Sequence, residues 1–216
     1  MSGDDRNAGP SRRFLLQSAA AVLAAGLPAV ARAQAVVPRP LTPEAAAKLN
    51  ALPGKAVLGA PGTPPRITEL VDFNAADWRR SALDMRELLA ADARLAYAVV
   101  QAPRFDVRSL EAARVALAVL GKGLGPFETF YLDLAEGTGP IDGVVALAAA
   151  QRAELDRSQV FNLSIQPQHT EDLSRAAALA SALGIIDTPV YVIGGQVFAG
   201  YLDLARKRAL LSTAKP

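Results

Sequence analysis

The stretch Leu183-Gly184-Ile185-Ile186-Asp187-Thr188-Pro189-Val190-Tyr191-Val192-Ile193-Gly194-Gly195-Gln196-Val197-Phe198-Ala199 decides how this chain is read. Two short runs, Val190–Ile193 and Gln196–Ala199, are rich in β-branched and aromatic residues and flank Gly194-Gly195. Both glycines can take positive φ without strain, so the pattern predicts a tight β-hairpin. Upstream, Gly184 stands where a glycine closes a helix. Downstream, Leu202–Leu211 is amphipathic and predicts a last helix.

Working outward, Ile67–Phe73 predicts a strand and Trp78–Ala90 a helix with Trp78, Ala82, Met85 and Leu89 on one face. Leu95–Gln101 predicts a second strand, stopped by Pro103. A strand–helix–strand unit of this length implies a parallel pair with a right-handed crossover. The region from Arg108 to Leu183 carries helical signals only, over Leu110–Leu120 behind Ser109, Phe127–Ala135, Ile141–Ala150, Arg152–Phe161, and Glu171–Leu183 behind Thr170. The order β–α–β, helical insert, β–β–α predicts an α/β domain over 65–213, with its insertion at about 108–183.

Residues 34–64 hold Pro38, Pro40, Pro43, Pro53, Pro61 and Pro64 and read as an arm and linker. One short helix fits inside, with Thr42 as N-cap and Pro43 at its first position, ending before Pro53-Gly54. The arm is either an exposed tail or a homo-oligomerisation element. Residues 1–33 read as an address: Ser11-Arg12-Arg13-Phe14-Leu15-Leu16, an Ala/Leu-rich run to Val30, then Ala31-Arg32-Ala33 as a small-x-small cleavage site. The paired arginines resemble a twin-arginine export signal, with an ordinary secretory signal as the alternative. Either reading places the mature protein in the periplasm. No later stretch is long and apolar enough for a membrane anchor.

The 216-residue chain has a formal charge of +2. Arg6, Arg12, Arg13 and Arg32 against Asp4 and Asp5 account for the whole surplus, because 23 basic groups less four and 21 acidic groups less two leave 19 of each. No basic stripe remains for a phosphate backbone, which argues against nucleic acid. The absence of cysteine excludes disulfides, thiolate-bound metals and a thiol nucleophile. His169 is the single histidine, in a polar turn, which leaves no Ser–His triad or imidazole metal cage to build around it. Asp133, Glu136 and Asp142 lack the alternating spacing of a calcium loop. Gly121-Lys122-Gly123-Leu124-Gly125 follows a helix and lacks the Gly-Lys-Ser/Thr of a phosphate loop. No metal and no cofactor are expected.

Three blocks resemble the DsbA-like branch of the thioredoxin superfamily, over roughly Val57 to Leu211. Val57-Leu58-Gly59 is similar to that family's lead-in. Glu69-Leu70-Val71-Asp72-Phe73-Asn74 is similar to its first strand, and Leu183–Ile193 to its cis-proline loop and following strand. The resemblance implies a thioredoxin-like fold with a DsbA-type helical insertion. It also places the family's Cys-x-x-Cys at Ala75-Ala76-Asp77-Trp78, followed by Arg79 and Arg80. A methyl group neither ionises nor attacks sulfur, so thiol–disulfide chemistry is excluded. By resemblance, Glu69 matches the buried acid that tunes the family's thiols, here without thiols to tune. Pro189 implies a cis peptide bond, and the backbone at Thr188 implies pairing with an extended polypeptide.

Trp78 reads as a core residue, with a peptide-stacking surface as the alternative. Asp77 reads as a helix cap, paired with Asn74 in a capping-box-like arrangement. Arg79 and Arg80 read as solvated. The expected role is a redox-inactive chaperone, adaptor or complex subunit that holds an unfolded polypeptide or protein partner beside Trp78, Thr188 and Pro189. An enzyme with thiol-independent chemistry is the alternative.

Overall fold

The computed structural model describes residues 36–104, 106–185 and 187–214; the export signal read at 1–33 lies outside the described residues. Strand β1 (Arg39–Pro40) and helix α1 (Pro43–Ala51) come first, then β2 (Lys55–Gly59), β3 (Ile67–Val71), α2 (Trp78–Ala91) and β4 (Ala96–Gln101). Five inserted helices follow: α3 (Val107–Leu120), α4 (Leu124–Glu136), α5 (Gly143–Arg152), α6 (Arg157–Ser164) and α7 (Pro167–Ala182). The chain then forms β5 (Val190–Ile193), β6 (Gln196–Ala199) and α8 (Leu204–Thr213).

The six strands lie in the order β1-β6-β5-β3-β4-β2. β3 and β4 are parallel, from Ile67 opposite Tyr97 to Val71 opposite Gln101, with α2 as the crossover. Every residue of both strands is buried, as expected when helices cover both faces of a parallel pair. β5 runs antiparallel to β3, with Leu70 opposite Val190. Residues 72–77, which leave β3, and 187–189, which enter β5, therefore emerge from the same end of the sheet. Gly194 and Gly195 turn β5 into β6 with φ of 55° and 73°, a conformation that would strain a residue with a Cβ.

Each face of the sheet has its own core. On one, Ile67, Val71, Tyr97, Val99, Tyr191 and Ile193 pack with apolar residues of α2, α3, α4 and α8. On the other, Leu70, Val100, Val190 and Val197 pack against Leu49, Leu52, Ala176, Leu179 and Ala180. That second core alters the reading of residues 34–64 as an arm and linker. The Thr42 hydroxyl does accept from Ala45 N at 3.2 Å, and Pro43 opens the helix. However, Leu49 and Leu52 are buried, β1 pairs with β6, and β2 pairs with β4 over five residues. The segment thus supplies both edges of the sheet. Pro40 is tolerated because it sits on an edge strand, where no ladder bond is required of it.

Helix starts also differ from the apolar periodicity: α3, α4 and α7 begin upstream of it, and α5, α6 and α8 begin downstream, because capping residues rather than apolar spacing set them. Asp106, Asp142, Asp156 and Asp203 each accept a backbone N–H at the start of α3, α5, α6 and α8. Ser109, expected to cap α3, is inside it. Pro167 rather than Thr170 begins α7, which moves His169 from a turn into the helix. Among the described residues, no helix is long and apolar enough to cross a membrane.

Candidate functional site

Asp72, at the end of β3, organises the turn that follows. Its Oδ1 accepts from Asn74 N at 2.8 Å and Ser109 Oγ at 2.7 Å, and its Oδ2 accepts from Arg104 N at 2.6 Å. The Asn74 amide donates to Ser109 Oγ at 3.0 Å and Ile141 O at 2.9 Å, and accepts from Ile141 N at 2.8 Å. These bonds tie the turn to α3 and to the loop before α5. They also correct the capping-box expectation, since the Asn74 side chain faces the insert. Asp77 sits at the N-cap of α2 without a side-chain cap bond, and its carboxylate takes Arg80 at 3.3 Å.

Ala75 is buried and lies two residues before that cap, whereas Ala76 is exposed. Position 75, where the sequence resemblance sets a nucleophile, holds a methyl group outside the first turn of α2. Trp78 is fully buried, which excludes it as a peptide-stacking surface. Its indole N–H donates to Tyr131 Oη at 2.9 Å. Its ring meets Phe73 edge-on at 4.9 Å and Tyr131 at 5.4 Å between centroids. The indole fills the space beneath the turn as part of an aromatic cluster that extends to Phe127 and Phe130. Arg79 is less solvated than its sequence suggests, because its guanidinium donates to Gly139 O at 2.7 Å.

At the facing loop the Thr188–Pro189 peptide bond is cis. Thr188 and Pro189 are buried, and Asp187 is exposed. Thr188 N donates to Asp187 Oδ1 at 2.8 Å, while the buried Thr188 Oγ1 has no partner. Thr188 and Pro189 therefore share the sheet end with Ala75 and Ala76, and Trp78 lies behind them in the core. Cavities of about 260 and 380 Å³ open elsewhere, and neither is lined by residues of this end. Among the described residues, no three acidic or histidine side chains gather where a metal could sit.

Glu69 lies deeper on β3, fully buried. Ser81 Oγ donates to its Oε1 at 2.5 Å and Tyr97 Oη to its Oε2 at 2.6 Å. Ser81 Oγ also lies 2.7 Å from Tyr191 Oη. Lys207 Nζ, fully buried on α8, donates to Ser81 Oγ at 3.0 Å and to Asp84 Oδ2 at 2.9 Å. Tyr201 Oη donates to the same Asp84 oxygen at 2.8 Å. Burial raises the Glu69 pKa above the ordinary carboxylate value, opposed first by the nearby Lys207 charge and then by the two hydroxyl donors. Tyr97 and Tyr191 are pushed upward, first by burial and then by the Glu69 carboxylate.

Sequence reasoning found Glu69 but missed the groups around it. Leu204, Lys207 and Leu211 are spaced by three and four, on one stripe of α8. A lysine within an apolar stripe was the available signal for a buried cation.

A family model for the DSBA-like thioredoxin domain matches residues 62–211, and the chain belongs to that family. Among solved structures it is similar to a thioredoxin-like oxidoreductase from Silicibacter pomeroyi DSS-3, at 26% identity and a TM-score of 0.69, over 75% of this chain and 92% of that one. It is also similar to the thiol-disulfide exchange protein alpha-DsbA2 from Wolbachia pipientis, at 19% identity and a TM-score of 0.72, over 80% and 92% of the two chains. A third is a periplasmic thioredoxin-like protein from Salmonella enterica serovar Typhimurium, at 17% identity and a TM-score of 0.68, over 81% and 97%. The last two likenesses bear on the fold alone. No curated protein sequence matches the chain.

Proposed function

We propose that this is an exported, redox-inactive member of the family that binds an extended polypeptide segment or a protein partner at the Ala76–Thr188 end of the sheet. The observation that carries the reading is the chemistry of position 75. A buried methyl group replaces the sulfur, and the chain has no other sulfur nucleophile to substitute for it. Backbone pairing at the loop before Pro189 needs no thiol and survives that loss. Two exposed aliphatic side chains support an apolar contact beside it: Val107 is 65% exposed and Val144 64%. They open α3 and α5, the helices flanking the Ser109 and Ile141 contacts of Asn74. Export is supported by the Arg12-Arg13 signal, and one structural relative is described as periplasmic.

The purified protein is expected to give no turnover in an insulin-reduction assay and to slow the aggregation of a denatured client. Turnover would overturn the redox-inactive reading. Unaltered aggregation, together with no partner on co-purification, would remove the binding role.

A further inference from the structure

We infer that Asp187 is a built-in competitor for the peptide-binding loop and selects extended segments carrying a basic residue. The inference rests on the binding reading above. Pro189 has no N–H, and its carbonyl accepts from Gly200 N at 3.0 Å. β5 itself is already flanked by β3 and β6. Thr188 N–H is therefore the donor this turn offers to an added strand. In the structure that donor is occupied by the carboxylate of the preceding residue, at 2.8 Å.

An incoming backbone carbonyl must displace Asp187 before it can pair. Asp187 is exposed, so it leaves without uncovering apolar surface, and one charge-assisted hydrogen bond is exchanged for a neutral one. The released carboxylate then stands beside the bound strand. A lysine or arginine flanking the paired residue re-engages it, whereas an acidic flank is repelled. The ligand class that answers both requirements is an unfolded segment with β-branched residues at its centre and basic residues beside them.

The test uses fluorescein-labelled Val/Thr peptides flanked by lysine, by glutamate or by serine, with the full mature chain. Asp187→Ala removes both the cap and the charge, and should tighten the serine-flanked peptide roughly threefold to tenfold. Asp187→Asn keeps an acceptor for Thr188 N–H without the charge. It should leave that affinity near wild type while abolishing the preference for lysine over glutamate flanks. Thr188 amide hydrogen exchange gives a ligand-free readout, and should speed up in Asp187→Ala alone. Peptide binding that is equal in wild type and Asp187→Ala would refute the competitor while leaving the binding site standing. Binding by no form of the protein would refute both.

Discussion

The sheet end around Ala75 and the sheet interior around Glu69 lie on one strand–helix unit, yet their chemistry differs. At the end, Ala75 and Trp78, which the resemblance sets at the family's sulfur positions, are both buried, and Trp78 packs edge-on against Phe73 and Tyr131. In the interior, Glu69, Ser81, Asp84, Tyr97, Tyr191, Tyr201 and Lys207 form a continuous polar network. If that network existed only to tune thiols, it would have no role here. The contrast implies that it also holds the fold, because it joins β3, β4 and β5 to both α2 and α8.

The largest expected effect breaks the sealed side. Trp78→Ala removes a fully buried indole and leaves the Tyr131 hydroxyl without its donor. Large aromatic truncations cost about 3–5 kcal/mol, and an orphaned buried polar group about 1–3 kcal/mol more. Guanidinium unfolding should show most of this. A loss under about 1 kcal/mol would mean that the indole does not seal this end.

Next comes the polar side. Lys207→Ala strips the ammonium from Ser81 and Asp84 and leaves Glu69 without its nearest buried cation. Breaking a buried ion pair by removing one partner costs about 3–5 kcal/mol, somewhat below the total for the indole. If thermal unfolding of Lys207→Ala matches wild type, the network is a passive remnant and the contrast between the two regions collapses.

How much of this was legible in the sequence depends on what each residue type reveals locally. Continuous apolar runs and Gly194-Gly195 announce β3, β4 and the hairpin, because few other structures accommodate them. β2 hides because Lys55–Gly59 is short and flanked by proline and glycine, so its alternating burial is visible only once β4 lies beside it. The helix starts drifted because an aspartate cap carries no apolar periodicity. The resemblance singled out position 75 and Glu69, and the structure shows Glu69 buried as that resemblance implies. Lys207 carried only a faint signal, its place in the apolar stripe of α8: a lysine on a helix normally reads as solvated, and the tertiary contacts with Ser81 and Asp84 turn it inward. Asp187 escaped for a similar reason, since a bond to the next residue's amide depends on backbone angles that composition does not encode.

The smallest effect is a change of pH dependence, and it separates the Glu69 charge from its hydrogen bonds. In the folded protein the Glu69 pKa lies above its ordinary value of 4.5, chiefly because burial penalises the carboxylate. The folded state thus holds this proton more tightly than the unfolded chain does. The resulting stabilisation is complete below the unfolded value and is lost as pH rises through the folded one. Glu69→Gln keeps the side-chain size and an acceptor for Ser81 or Tyr97, so at acid pH it should cost about 1 kcal/mol or less. Because the amide does not titrate, the gap between wild type and Glu69→Gln should narrow or reverse from acid toward neutral pH. A gap that instead widens in favour of wild type would mean that the Lys207 charge outweighs desolvation, placing a stabilising ion pair where burial now dominates.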